Sequence, residues 1–315
     1  MKKKENSLLQ LIKQLLQINS SFSGAAFIVA AAAAWGMSGI FVTIILKNSN
    51  GSSVSLAFWR DTAASAILFL FTFLTRPQVL KIEKEDIPWI VAMGFFLGGF
   101  HILFNQSVIL NGAAVTTVLQ AAMPALVAVA AFYLWKEDLT REKWLSMLII
   151  FIGTAMASGI NVFSREETNM AGYMSGFAVP FFYAGWSLCG KSLVSKYGPT
   201  ACLAVAFGIA SVMLLPLQPF TSQPFPLNLT IILAFCGLVF VSTFGAFSLY
   251  LLGMKYVEAG VAGILVMSEI LFAGVYAWSL LGERLTPVQM CGTLLVIAGV
   301  VFLSYRQNKK SGIRP

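Results

Sequence analysis

The sequence predicts an all-α integral membrane protein: ten transmembrane helices in two inverted five-helix repeats. Three observations carry that prediction. Apolar residues make up 58% of the 315 and charged residues only 11%, whereas an ordinary soluble domain carries about 25% charged residues. The apolar residues fall into stretches of roughly 20, the length that crosses about 30 Å of hydrocarbon. The chain also repeats itself, which bears on architecture before any other feature. Moved by 146 positions, residues 113–158 lie on 259–304 with 12 of 46 positions identical. The identities include Ala113/Ala259, Val115/Val261, Leu134/Leu280 and Gly153/Gly299. They also include the Glu, Leu and Thr of two hinges, Glu137-Asp138-Leu139-Thr140 and Glu283-Arg284-Leu285-Thr286. A second anchor, Trp35-x3-Gly39 against Trp186-x3-Gly190, recurs at a shift of 151.

Taken in order, residues 1–20 are not expected to be a signal peptide, because Gln10, Lys13, Gln14 and Gln17 interrupt what would be its apolar core. Leu8, Leu11, Ile12, Leu15 and Leu16 instead recur at helical spacing after a Ser7-x-x-Gln10 capping box. That pattern reads as an amphipathic helix lying on the cytoplasmic leaflet. The first repeat (21–161) holds spans at 23–46, 54–74, 88–110, 113–135 and 144–161, with Asn111-Gly112 alone joining the third and fourth. The second repeat (171–304) holds spans at 171–191, 200–220, 228–251, 258–281 and 287–304, and a basic tail (305–315) follows. Lys and Arg concentrate on the cytoplasmic side of membrane proteins. With the N-terminus inside, 17 of the 21 fall inside, Lys47, Arg165 and Arg284 fall outside, and Arg60 lies within a span. Both termini are thus expected in the cytoplasm of a multi-pass cell-membrane protein. Five spans per repeat is an odd number, so the copies sit upside down relative to each other. Inverted repeats of this kind build secondary transporters, whose sites lie near the midplane.

The composition excludes several other classes. The four cysteines (Cys189, Cys202, Cys236, Cys291) lie in separate apolar stretches and read as small buried hydrophobes rather than metal or redox ligands. No Gly-rich phosphate loop is present, and the net charge of +8 follows from topology, so no nucleic acid partner is implied. The expected partners are a lipid bilayer, a small-molecule substrate and, as coupling ion, protons. No metal and no cofactor are expected.

The residues also resemble the EamA-type permeases of the drug/metabolite transporter superfamily over about 25–304. The resemblance rests on Ala34-Trp35-Gly36, Phe58-Trp59-Arg60, Ser268-Glu269-Ile270 and Leu281-Gly282-Glu283-Arg284-Leu285-Thr286. It implies ten helices in two inverted repeats, a central cavity, and export or exchange of small metabolites, with no cofactor. Two departures stand out. Ile270 replaces the usual proline after Glu269, which predicts an unbroken ninth helix, and Trp135-Lys136-Glu137 replaces Leu-Gly-Glu at the first hinge.

Ionisable groups inside the membrane are costly, about 2.5–3.5 kcal/mol at a helix centre, and are therefore candidate functional residues. Glu269, midway along the ninth span, is the candidate proton carrier, with a structural carboxyl as the alternative. Arg60 either holds a substrate carboxylate bidentately, anchors at the interface, or pairs with an acid on another helix. His101 and Asn105 share a helix face, with Phe104 and Gln106 beside them and Gln120 in the next span. They line either a cavity or a tight helix contact. Trp35, Tyr183, Trp186, Tyr250 and Tyr276 are aromatic wall or core. Pro124 and Pro180 are helix kinks, and Gly94-x3-Gly98 mediates packing within one bundle or between two copies, leaving monomer and homodimer both open. Lys191 and Lys255 are expected to snorkel to the inner surface. The function these features predict is a secondary active transporter of a small organic metabolite, foremost an amino acid. The alternatives are a multidrug or aromatic-cation exporter, or a non-transporting scaffold or lipid-handling enzyme. An enzyme would need paired catalytic groups at one membrane face, and His101 has no acid near it in sequence.

Overall fold

The computed structural model describes residues 23–157, 170–221, 225–226, 228–281 and 286–310; side chains at 111–115, 117, 221, 277–278, 280–281 and 304–310 also lie outside the description. The interfacial helix expected at 1–20, the link carrying Arg165, the second hinge with Glu283 and Arg284, and residues 311–315 lie outside the described residues.

The described residues are mostly helical, with no strand among them. Among the described residues, seven helices are long and apolar enough to cross a membrane, and Pro287–Leu303 is a shorter apolar one. We label the elements α1 (Ser23–Lys47), α2 (Ser53–Thr75), α3 (Ile87–Gln120), α4 (Met123–Trp135), α5 (Arg141–Ala157), α6 (Met170–Leu214), α7 (Leu229–Met254), α8 (Ala259–Leu265), α9 (Glu269–Leu281) and α10 (Pro287–Lys310). Large apolar side chains cover the outside: Leu70 is 59% exposed, Leu74 72%, Phe181 60% and Leu294 64%. Without water at that depth, helices alone satisfy their own backbone groups, and lipid is the natural contact for such a surface.

Two long helices conceal reversals. In α6, Gly198 takes φ 79° and ψ 164°, which glycine adopts without steric cost, and Pro199 opens the second limb. Helical bonding in α3 continues through Asn111-Gly112, yet the Ser107 and Thr116 hydroxyls lie 2.7 Å apart. Nine residues of straight helix would span about 13.5 Å, so the chain turns back between them.

Helical bonding breaks where α3 meets α4, at Ala121-Ala122, and again at Val266–Ser268 between α8 and α9. The second break corrects the expectation of an unbroken ninth helix. Ile270 keeps its N–H, but the Ser268 hydroxyl donates to the Leu265 carbonyl at 2.8 Å, a local bond that competes with helix continuation. Pro124 likewise sits in the first turn of α4, where its missing N–H is harmless, rather than kinking a helix interior. Pro180 does lie inside a helix, in the first limb of α6.

Small residues set the closest contacts. A methyl group at Gly153 would come within 2.8 Å of the Gly292 carbonyl, and one at Gly299 within 2.7 Å of Ile150. The repeat-related glycines therefore seat α5 against α10. A methyl at Gly94 or Gly98 would meet Ile209 or Ala210 of α6, so this pair serves packing inside the bundle. Cys189 and Cys202 are buried, as expected, but Cys236 and Cys291 are exposed on the apolar outside, a correction to the reading of all four as core residues.

Candidate functional site

The site grows from α2. Ser52 caps this helix by accepting from the Ser55 N–H, which positions Arg60 and Asp61 two turns in. Their side chains diverge, as adjacent helical residues must. The Arg60 Nε donates to Thr243 Oγ1 at 2.7 Å, and Thr243 in turn donates to the Leu238 carbonyl at 2.8 Å. Thr243 belongs to a π-helical segment, Phe240–Gly245, a rare widening often found at functional sites. Asp61 turns instead to α3, where its Oδ1 lies 2.6 Å from His101 Nδ1, both side chains fully buried. Arg60 itself is only 2% exposed; it does not snorkel to an interface.

Arg60 forms one wall of a cavity of about 20 Å³, lined also by Trp35, Ser38, Phe100, Phe104, Gln120, Tyr183 and Glu269. That volume holds about one water molecule, too little for an organic substrate in this conformation. Both helix breaks meet it: Gln120 is the last residue of α3 and Glu269 the first of α9. Gly36 makes the second approach possible, since a methyl there would lie 3.0 Å from the Ala273 nitrogen and Phe272 Cβ. Among the described residues the Glu269 carboxyl and the terminal guanidinium nitrogens of Arg60 have no hydrogen-bond partner. The Gln120 Oε1 and Tyr183 hydroxyl are buried and unpartnered as well.

Behind this wall stands an aromatic cluster. Trp35 and Trp186, related by the repeat, meet edge to face at 6.2 Å, and Tyr183 stacks on Trp186 at 5.5 Å. Phe247 packs edge-on against Trp35 at 4.8 Å, and the Tyr250 hydroxyl lies 2.8 Å from Ser187 Oγ. Such edge-to-face and offset contacts rigidify a wall.

The sequence-predicted residues thus divide. Trp35, Arg60, Gln120, Tyr183 and Glu269 converge on the cavity. Trp186 and Tyr250 support it from behind. His101 and Asn105 lie in the contact between α2 and α3 instead, Asn105 donating to the Ser53 carbonyl at 3.2 Å. Tyr276 stacks on Phe272 at 6.4 Å, away from the cavity. Sequence reasoning missed Asp61 as the partner of His101, and Ser38 and Phe100 as lining residues. An acid inside a predicted span was the available signal for Asp61. His101 therefore does have an acid beside it, but the pair is buried among helices rather than at a membrane face.

Two matches to one family model accompany this geometry, the EamA-like transporter family over residues 22–159 and 170–305. The chain belongs to the EamA-like transporter family. It is 29% identical to the uncharacterized inner membrane transporter YicL of Salmonella typhimurium, over 93% of this chain and 99% of that one. It is 23% identical to an uncharacterized transporter of Archaeoglobus fulgidus, over 84% and 93%, and 23% to transporter YwfM of Bacillus subtilis, over 90% and 94%. One solved crystal structure superposes with a TM-score of 0.77 at 16% identity, covering 91% of this EamA-family chain and 98% of its own. The fold is shared with it, and a multi-pass membrane protein with transporter relatives is the result.

Proposed function

We propose that this protein is a secondary transporter that exports or exchanges a small amphipathic zwitterion, foremost an amino acid, by alternating access. One observation carries the reading. A guanidinium from one repeat and a carboxyl from the other, Arg60 and Glu269, face the same aromatic-walled cavity, each with donor or acceptor atoms that no described residue satisfies. Arg60 suits a carboxylate, which it can hold bidentately. Glu269 suits an ammonium group, and Trp35, Phe100, Phe104 and Tyr183 suit an apolar side chain. A permanently cationic drug would confront Arg60, which disfavours the multidrug alternative. Glu269 is also the proposed coupling carboxyl, releasing its proton as an ammonium group arrives.

Ten spans in two inverted repeats, with both termini in the cytoplasm, belong to the same proposal. The two helix breaks support it: Ala121-Ala122 moved by 146 positions falls on Met267-Ser268, and Met123, which opens α4, falls on Glu269, which opens α9. Discontinuous helices at equivalent places in two halves mark the binding region of many carriers.

The test uses purified protein in liposomes loaded with a pH-sensitive dye. Amino acids, nucleobases and aromatic cations are screened for counterflow and proton movement. Saturable counterflow of amino acids, with a dye response altered in size or sign in Glu269→Gln, is the expected result. Flux confined to aromatic cations would favour the multidrug reading. Flux with an unaltered proton signal in Glu269→Gln would remove the coupling role.

A further inference from the structure

We infer that His101 is a second proton-binding group of the transport cycle, taking up a proton at Nε2 when a carboxylate docks on Arg60. The inference rests on the transport reading above and extends it to a residue outside the cavity. Asp61 as a carboxylate only accepts hydrogen bonds, so the 2.6 Å contact places the imidazole proton on Nδ1. Nε2 then carries a free lone pair, and it is buried with no partner among the described residues. Asp61 Oδ2 is equally buried and unpartnered. A pair serving only to join two helices would be expected to satisfy both of its outer atoms.

The surroundings determine the sign. Among the described residues, the charged groups acting on His101 are Arg60 and Asp61, both from α2. α6 and α7 present aromatic faces to it: Phe207 stacked at 6.0 Å and Phe247 edge-on at 5.7 Å. With the cavity empty, Arg60 and Asp61 balance, and a proton on Nε2 would leave an uncompensated positive charge in the bundle. A carboxylate bound to Arg60 supplies the missing negative charge. The imidazole then takes a proton from the medium, an N–H bond forms at Nε2, and the buried group becomes neutral overall. Asp61 keeps its contact to Nδ1 in both states. Glu269, facing the ammonium end, releases a proton on the same event, so the two residues produce opposite pH slopes.

His101 is the sole histidine of the chain, so selective ¹⁵N labelling of histidine, with a tag free of it, reports one imidazole. The protein is placed in lipid nanodiscs with phenylalanine as probe and phenethylamine, which lacks the carboxylate, as control. The expected result is a neutral ring with Nε2 unprotonated in the empty protein and an imidazolium with phenylalanine bound, unchanged by phenethylamine and abolished in Arg60→Gln. In a Glu269→Gln background, the Kd for phenylalanine should rise about tenfold per pH unit above neutrality, as one linked proton requires. Adding His101→Gln should flatten the slope to below about twofold. A bound-state spectrum identical to the empty one, with phenylalanine binding shown by radioligand displacement, overturns the proton role. No binding of any amino acid by folded wild type overturns the transport reading on which it rests.

Discussion

At the scale of single residues, polar atoms inside a membrane are few enough to be read individually. Arg60, Gln120 and Glu269 were legible because each interrupts an apolar run, and all three line the cavity. The partnership of Asp61 with His101 was not legible, because 40 positions separate them and nothing in the spacing says which helices touch. Ser38 and Phe100 were invisible for a related reason, since a serine or phenylalanine in a span is ordinary. The first hinge supports a sharper prediction. Lys136 holds φ 57° and is the one non-glycine residue with positive φ among those described. The repeat shift places Gly282 at the equivalent position of the second hinge, and a side chain in that region costs roughly 1–2 kcal/mol. Lys136→Gly is therefore expected to stabilise the protein by about 1 kcal/mol. A thermal-shift assay in detergent reads the change, and a fall in melting temperature would show that the lysine side chain contributes more than its backbone costs.

At the scale of elements, that left-handed residue aims the hinge across the repeat boundary. Glu137 accepts from the Ala259 and Gly260 N–H groups at 2.9 and 3.1 Å, capping α8, whose own N-cap residue Glu258 makes no side-chain cap bond. A carboxylate there satisfies two orphan donors and opposes the positive end of the helix. Its reach across 122 positions explains why the hinge glutamate recurs in sequence without revealing its partner. Glu137→Ala should destabilise by about 1–2 kcal/mol, the usual range for a lost cap. Glu137→Gln should lose less, because the amide oxygen still accepts one bond. Equal losses in both variants, by thermal unfolding, would mean that the charge and not the hydrogen bonding carries the cap. Neighbouring contacts join the same elements. Lys143, 4% exposed, pairs with Glu258 at 2.6 Å. Lys191 turns inward to the Met254 and Val257 carbonyls rather than snorkelling outward, because the unbonded carbonyls at the end of α7 attract a cation.

At the scale of the whole molecule, these contacts are lopsided in a way the duplicated sequence makes visible. The repeat shift carries Lys143 to Gln289 and Glu258 to Gly112, so the ion pair has no counterpart at the opposite end. Gln289 instead bonds within its own helix start, accepting from the Thr286 N–H at 2.8 Å. In the proposed topology, the Glu137, Lys143, Glu258 and Lys191 cluster lies on the cytoplasmic side. If access alternates, this cluster is the proposed inner gate and must part whenever the cavity opens inward. A short bis-maleimide joining cysteines at Lys143→Cys and Glu258→Cys, in a background with the four native cysteines replaced, should then reduce counterflow by about tenfold or more, since a held gate limits the cycle. Cysteines cross-linked within one helix serve as the control. Substrate binding from the outer side should survive the cross-link, which separates a locked gate from a damaged protein. Unimpaired counterflow in fully cross-linked protein would place the moving interface elsewhere.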